Sequence, residues 1–106
     1  MADAKKLVDS KIMGKKVVVF SKTHCPFCVR TKDLLKQYNL SEDDYEVIEL
    51  DAGPHSKNMA AIQQYLKSLT GASSVPRVFV GGKSVGGNDD TQAAHRSGAL
   101  KKMIEA

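Results

Sequence analysis

At 106 residues, 42% of them hydrophobic and 26% charged, the chain has the size and composition of one compact domain with one core. No apolar run approaches the ~20 residues of a membrane-spanning helix, and Met1-Ala2-Asp3-Ala4-Lys5-Lys6 shows no secretory pattern, so the expected setting is the cytosol, away from membranes. A net charge of +4 is spread thinly, and Lys15-Lys16 and Lys101-Lys102 are only pairs, so nucleic-acid binding, which needs a dense basic patch or stacking aromatics, is not expected.

In chain order, Leu7, Val8, Ile12 and Met13 recur at helical spacing and predict a first helix from Ala4 to Met13, closed by Gly14. Lys16-Val17-Val18-Val19-Phe20 is apolar without alternation, as in a strand buried on both faces. Pro26 suits the first position of a second helix, because its missing N–H costs nothing there, and Asn39 is a plausible stop. Tyr45 to Leu50 reads as a second strand, Asp51 to Pro54 as a turn. Ser56 is expected to cap a third helix, with Met59, Ile62, Leu66 and Leu69 as its apolar stripe and Gly71 as its end. Arg77–Val80, Gly81-Gly82 and Lys83–Val85 form a β-hairpin pattern. A second glycine turn at Gly86-Gly87 leads into a helix from about Asp90, interrupted near Ser97-Gly98. A parallel βαβ unit followed by an antiparallel ββα unit gives an α/β chain. Its four-stranded mixed sheet carries helices on both faces, the arrangement of the thioredoxin fold.

Cys25 and Cys28 are the only cysteines. A bridge between them closes a loop too short to staple the fold, so the pair reads as reactive rather than structural. The thiolate is the nucleophile in thiol–disulfide exchange. At the cap of its helix, Cys25 meets unpaired backbone N–H groups and the positive end of the helix dipole, with Lys22 adding charge. Cys25 is therefore expected to be acidified and to attack. Cys28, one turn inside, is expected to titrate normally or late and to resolve. Tetrahedral zinc needs four ligands, and His24, His55 and His95 lack zinc-finger spacing relative to the cysteines, so no metal site is expected. Pro76 reads as a strand-entry proline. Asn88, Asp89 and Asp90 fit either helix caps or a helix N-terminus that holds a carboxylate.

Taken together, Ser21-Lys22-Thr23-His24-Cys25-Pro26-Phe27-Cys28, Ser74-Val75-Pro76-Arg77-Val78-Phe79 and Gly86-Gly87-Asn88-Asp89-Asp90 closely resemble a dithiol glutaredoxin, from about Lys6 to Ile104. The resemblance implies one glutaredoxin domain over residues 1–106. It implies a monomer with no permanently bound cofactor and with glutathione as co-substrate. Lys22 and Gln63 would hold the glycine carboxylate of glutathione, and Val75, before a cis Pro76, would pair with its cysteinyl backbone. Gly87, Asn88, Asp89 and Asp90 would receive the γ-glutamyl end, and Phe27 would line the groove. Position 27 is more often Tyr in this family, and Ser74 stands where Thr is usual. The implied partners are glutathionylated or disulfide-bonded proteins, reduced through Cys25 alone or through Cys25 with Cys28. The mild positive charge would help attract anionic glutathione. An iron–sulfur cluster carrier is the alternative, although the monothiol Cys-Gly-Phe-Ser signature is absent. A thioredoxin proper would carry Trp-Cys-Gly-Pro-Cys, which is absent too.

Overall fold

A computed structural model describes residues 2–106. Strand β1 (Val17–Ser21) is buried along its whole length and sits inside the sheet. β2 (Tyr45–Glu49) runs parallel to it, with Val17 opposite Tyr45 and Ser21 opposite Glu49. On the other side β3 (Arg77–Val80) is antiparallel to β1, and β4 (Lys83–Gly86) pairs with β3, giving the order β2-β1-β3-β4.

Because successive strand residues face opposite ways, β1 feeds two cores. Val18 and Phe20 pack with Ile48, Leu50 and Phe79 under Ala4, Val8 and Ile12 of α1 (Ala2–Gly14) and Ile62 and Leu66 of α3 (Met59–Thr70). The rings of Phe20 and Phe79 meet edge to face at 5.8 Å. Val17 and Val19 pack with Val78 and Val80 under Leu34 and Leu35 of α2 (Pro26–Lys36) and Leu100 of α5 (Ala99–Glu105), with Ala94 of α4 (Asn88–Ser97) against them. Each fully buried aliphatic side chain contributes roughly 1.5–3 kcal/mol by leaving water. The expected α/β architecture, a four-stranded mixed sheet flanked by helices on both faces, is what forms.

The turns follow from backbone freedom. Gly81 and Gly82 both have positive φ (59° and 82°), the requirement of a type I′ hairpin turn. Between β3 and β4 the register skips Val85, since Val78 pairs with Gly86 and Phe79 with Ser84. This bulge delivers Gly86, at φ 124°, to the start of α4. Gly98, at φ 86°, breaks the C-terminal helix into α4 and α5 at the expected place.

Three local expectations are corrected. Ser56 does not cap α3. It lies inside a short 3₁₀ helix (Gly53–Asn58), where its hydroxyl bonds the Gly53 carbonyl at 3.2 Å, and α3 follows at Met59. The turn after α2 starts at Gln37, before Asn39, which takes φ 52°. The helix expected from about Asp90 starts two residues earlier, at Asn88. Among the described residues no helix is long and apolar enough to cross a membrane.

Candidate active site

Two helix N-termini, of α2 and of α4, and the Val75–Pro76 corner bound one groove of about 430 Å³, lined by Phe27, Ser74, Val75, Pro76, Arg77 and the Gly87–Asp90 stretch. Cys25 is the N-cap of α2, in extended conformation (φ −137°, ψ 107°), and Pro26 occupies the first turn. The first helical bond runs from the Val29 N–H to the Cys25 carbonyl at 3.0 Å. The Cys28 N–H donates to Cys25 Sγ at 3.2 Å, so a helix donor points at the sulfur that must carry negative charge in exchange. Cys25 is half-buried and its Sγ lies 3.9 Å from the Val75 carbonyl, which ties the sulfur to the groove wall.

Cys28 differs in every respect. It is fully buried. Burial, and after it the hydrogen bond to the Cys25 sulfur, push its thiol up to about 11. The Lys22 backbone and the Ser21 hydroxyl pull the other way without reversing the shift. The two cysteines thus differ in exposure, and the buried one has the raised thiol.

The loop ahead of Cys25 is clamped from outside. Asp51 accepts from the Thr23 N–H at 3.0 and 3.1 Å and from its hydroxyl at 2.8 Å, and these bonds hold the Asp51 carboxyl below the usual carboxylate range. Asp51 was read as a turn residue. Its partner lies 28 positions away, and only the parallel β1–β2 pairing brings them together.

On the opposite wall the Val75–Pro76 peptide is cis, as the resemblance implied against the usual preference for trans. Gly87 caps α4 without any side-chain bond, and the first helical bond is from Thr91 to Gly87. The N–H groups of Asn88, Asp89 and Asp90 thus belong to the unpaired first turn, and neither aspartate serves as the cap. A Cβ at Gly87 would lie 2.7 Å from Arg77 Nη2, so this backbone passes close to the guanidinium. The Asp90 carboxylate sits against Gly86, where a Cβ would overlap it. Asn88 turns its buried side chain away, accepting at Oδ1 from Thr31 at 2.9 Å and from Gln92 at 3.3 Å.

Of the expected contacts, Phe27, Ser74, Val75, Pro76, Gly87, Asn88, Asp89 and Asp90 come together in the groove, with Cys25 reaching it through Val75. Lys22 and Gln63 are outside its lining; Lys22 is half-buried, and the Gln63 amide donates to the Ser73 carbonyl at 2.9 Å. Arg77 lines the groove but had been assigned no role. Its Nε donates to the Pro76 carbonyl at 3.1 Å, and among the described residues no carboxylate pairs with it. The signal was a basic residue directly after the groove proline. Among the described residues no group of three or more His, Cys, Asp or Glu side chains is gathered where one metal ion could be held.

The family model described as Glutaredoxin matches residues 17–85. Glutaredoxin-1 of Sus scrofa is 43% identical over 102 residues, 96% of this chain and 93% of that protein. The holo form of glutaredoxin C1 from Populus tremula x tremuloides superposes with a TM-score of 0.85 at 37% identity, covering 97% of this chain and 96% of that one. A buckwheat glutaredoxin–glutathione complex gives 0.86 at 38% identity, covering 98% and 89%. With both Cys25 and Cys28 at the start of α2, the chain belongs to the glutaredoxin family as a dithiol member with a thioredoxin fold, a family of thiol oxidoreductases.

Proposed function

We propose that the protein is a glutathione-dependent reductase of protein–glutathione mixed disulfides through Cys25 alone, and of protein disulfides through Cys25 with Cys28. One observation carries the reading. Cys25 Sγ is a helix cap touching the carbonyl of Val75, at the edge of a groove whose far end is an open helix N-terminus. A similar structure was solved as a glutathione complex, which supports glutathione as the occupant.

In this reading the γ-glutamyl carboxylate takes the N–H groups at the start of α4, with Arg77 adding positive charge there. The Val75 backbone pairs with the cysteinyl unit. Lys22 and Gln63 receive the glycine carboxylate, for which Gln63 must release the Ser73 carbonyl. The Cys25 thiolate attacks the glutathione sulfur, and the protein sulfur leaves as a thiolate and takes up a proton. A second glutathione thiolate attacks the glutathione sulfur of the Cys25 adduct, forming glutathione disulfide and restoring the Cys25 thiolate. With a protein disulfide, the Cys25 thiolate attacks one sulfur to form the mixed disulfide, and the other sulfur leaves as a thiolate that takes up a proton. Cys28 then loses its proton and attacks Cys25 Sγ, releasing the second substrate sulfur as a thiolate. Two glutathiones reduce the resulting Cys25–Cys28 bridge to two thiols while becoming glutathione disulfide.

A glutathione-coupled assay on wild type, Cys25→Ser and Cys28→Ser tests this. Cys25→Ser is expected to lose both activities by ~1,000-fold or more. Cys28→Ser is expected to keep mixed-disulfide reduction within about threefold and to lose protein-disulfide reduction. Loss of mixed-disulfide reduction in Cys28→Ser would refute the division of labour. Visible absorbance of the purified protein separates this reading from the cluster-carrying alternative.

A further inference from the structure

Asn88 is shared by two depressions. Beyond it, on the side of α2 away from the Val75–Pro76 corner, lies a second one of about 460 Å³ between α2 and α4, where Arg30, Gln37, Gln92 and Arg96 are the polar walls and Leu34 the floor. The chain has three arginines, Arg30, Arg77 and Arg96, and all three line these two depressions. Among the described residues none of them has a carboxylate within ion-pairing distance, whereas Lys5, Lys11, Lys32, Lys36 and Lys101 all do. The one carboxylate in the second depression, Asp33, pairs with Lys36 at 3.6 Å, which leaves the guanidinium charge of that wall in excess. Arg30 is also held in place, its Cζ 5.3 Å from the centre of the Phe27 ring. Phe27 is 52% exposed and lines the first groove, so the stacked pair forms the ridge between the two.

We propose that this second depression docks an acidic segment of the polypeptide whose disulfide Cys25 attacks. The proposal rests on the exchange reading above and deepens it by naming a feature of the protein substrate. Unpaired guanidinium groups favour carboxylates, and the Gln37 and Gln92 amides offer donors and acceptors to an extended backbone. Arg30 is five residues from Cys25 and Gln37 twelve, about 7 and 18 Å along the helix axis. An extended chain covers that span in about two to five residues, so the acidic side chains belong at those distances from the substrate cysteine. Because both arginines are exposed, the contribution acts on encounter and on kcat/KM and weakens with salt.

The experiment compares three glutathione mixed disulfides: with 2-mercaptoethanol, with a peptide carrying Asp or Glu two to five residues from its cysteine, and with the same peptide carrying Gln there. For wild type, kcat/KM on the acidic peptide is expected to exceed that on the Gln peptide by about fivefold at low ionic strength, with the gap closing near 0.5 M salt. Arg30→Gln/Arg96→Gln is expected to erase the gap while staying within about twofold of wild type on the small disulfide. Equal rates on the two peptides in wild type would overturn the docking site, as would a preference that survives in the double variant. An equal loss on all three substrates in the double variant would overturn it too, by exposing a general defect. Wild type inactive on all three would instead refute the exchange reading, and this proposal with it.

Discussion

Two helices aim their N-termini at the same groove, and the two ends are finished in opposite ways. At α2 the first turn is closed by the protein itself. Pro26 has no N–H to offer, and the Cys28 N–H is directed at Cys25 Sγ. At α4 the cap is Gly87, which has no side chain, and although the Asp90 carboxylate lies back against Gly86, no side chain makes a cap hydrogen bond there. One helix end holds an anion belonging to the chain; the other is left for an anion that arrives. A groove with both ends built like α2 would have no place for the carboxylate of a ligand. With both built like α4 it would have no nucleophile.

This contrast can be tested at its deepest point first. In Cys25→Ser, the remaining Cys28 thiol should be alkylated at pH 8 about a hundredfold more slowly than a model thiol. Burial, the larger of the effects that raise its pKa to about 11, remains in this variant, and only the thiolate reacts. Iodoacetamide rates against pH check this. A Cys28 that reacts like a free thiol would mean that the first turn of α2 is open and not sealed. The α4 end is next. Gly87→Val places atoms on Arg77 and into the mouth of the groove, and should lower kcat/KM for a mixed disulfide by about tenfold. Alkylation of Cys25 should be unchanged, because that sulfur belongs to the other helix. Last, Asp51→Asn removes the charged acceptor of the Thr23 bonds and should lower kcat about threefold with little change in KM. A change confined to KM would show that Asp51 acts on binding and not on the placement of Cys25.

Much of this was legible in the chain because it is local. Val17 to Phe20 announced a buried strand, Pro26 a helix start, Gly81-Gly82 a hairpin, and Gly98 a break. Each signal is a residue acting on its own backbone. Ser56 misled because a hydroxyl near a helix start can serve a 3₁₀ turn as readily as a cap, and the choice depends on where the chain enters the α-helix. The cis bond at Pro76 was not readable from the proline itself, and only the likeness of three separated motifs implied it. Arg77 and Asp51 were missed as site residues for a different reason. Arg77 matters because α4 returns past it, and Asp51 because β2 runs beside β1. Neither neighbour is near in sequence.

Asn88 carries a consequence of its own. Its backbone faces the groove while its side chain is tied into α2 through Thr31 and onward along α4 to Gln92. These three polar residues, spread over two helices, form one hydrogen-bonded unit. A change at buried Thr31, which lines neither depression, leaves Asn88 Oδ1 with only the longer bond from Gln92 and disturbs the floor on which a ligand rests. Among descendants of this sequence, Thr31, Asn88 and Gln92 should drift together or not at all.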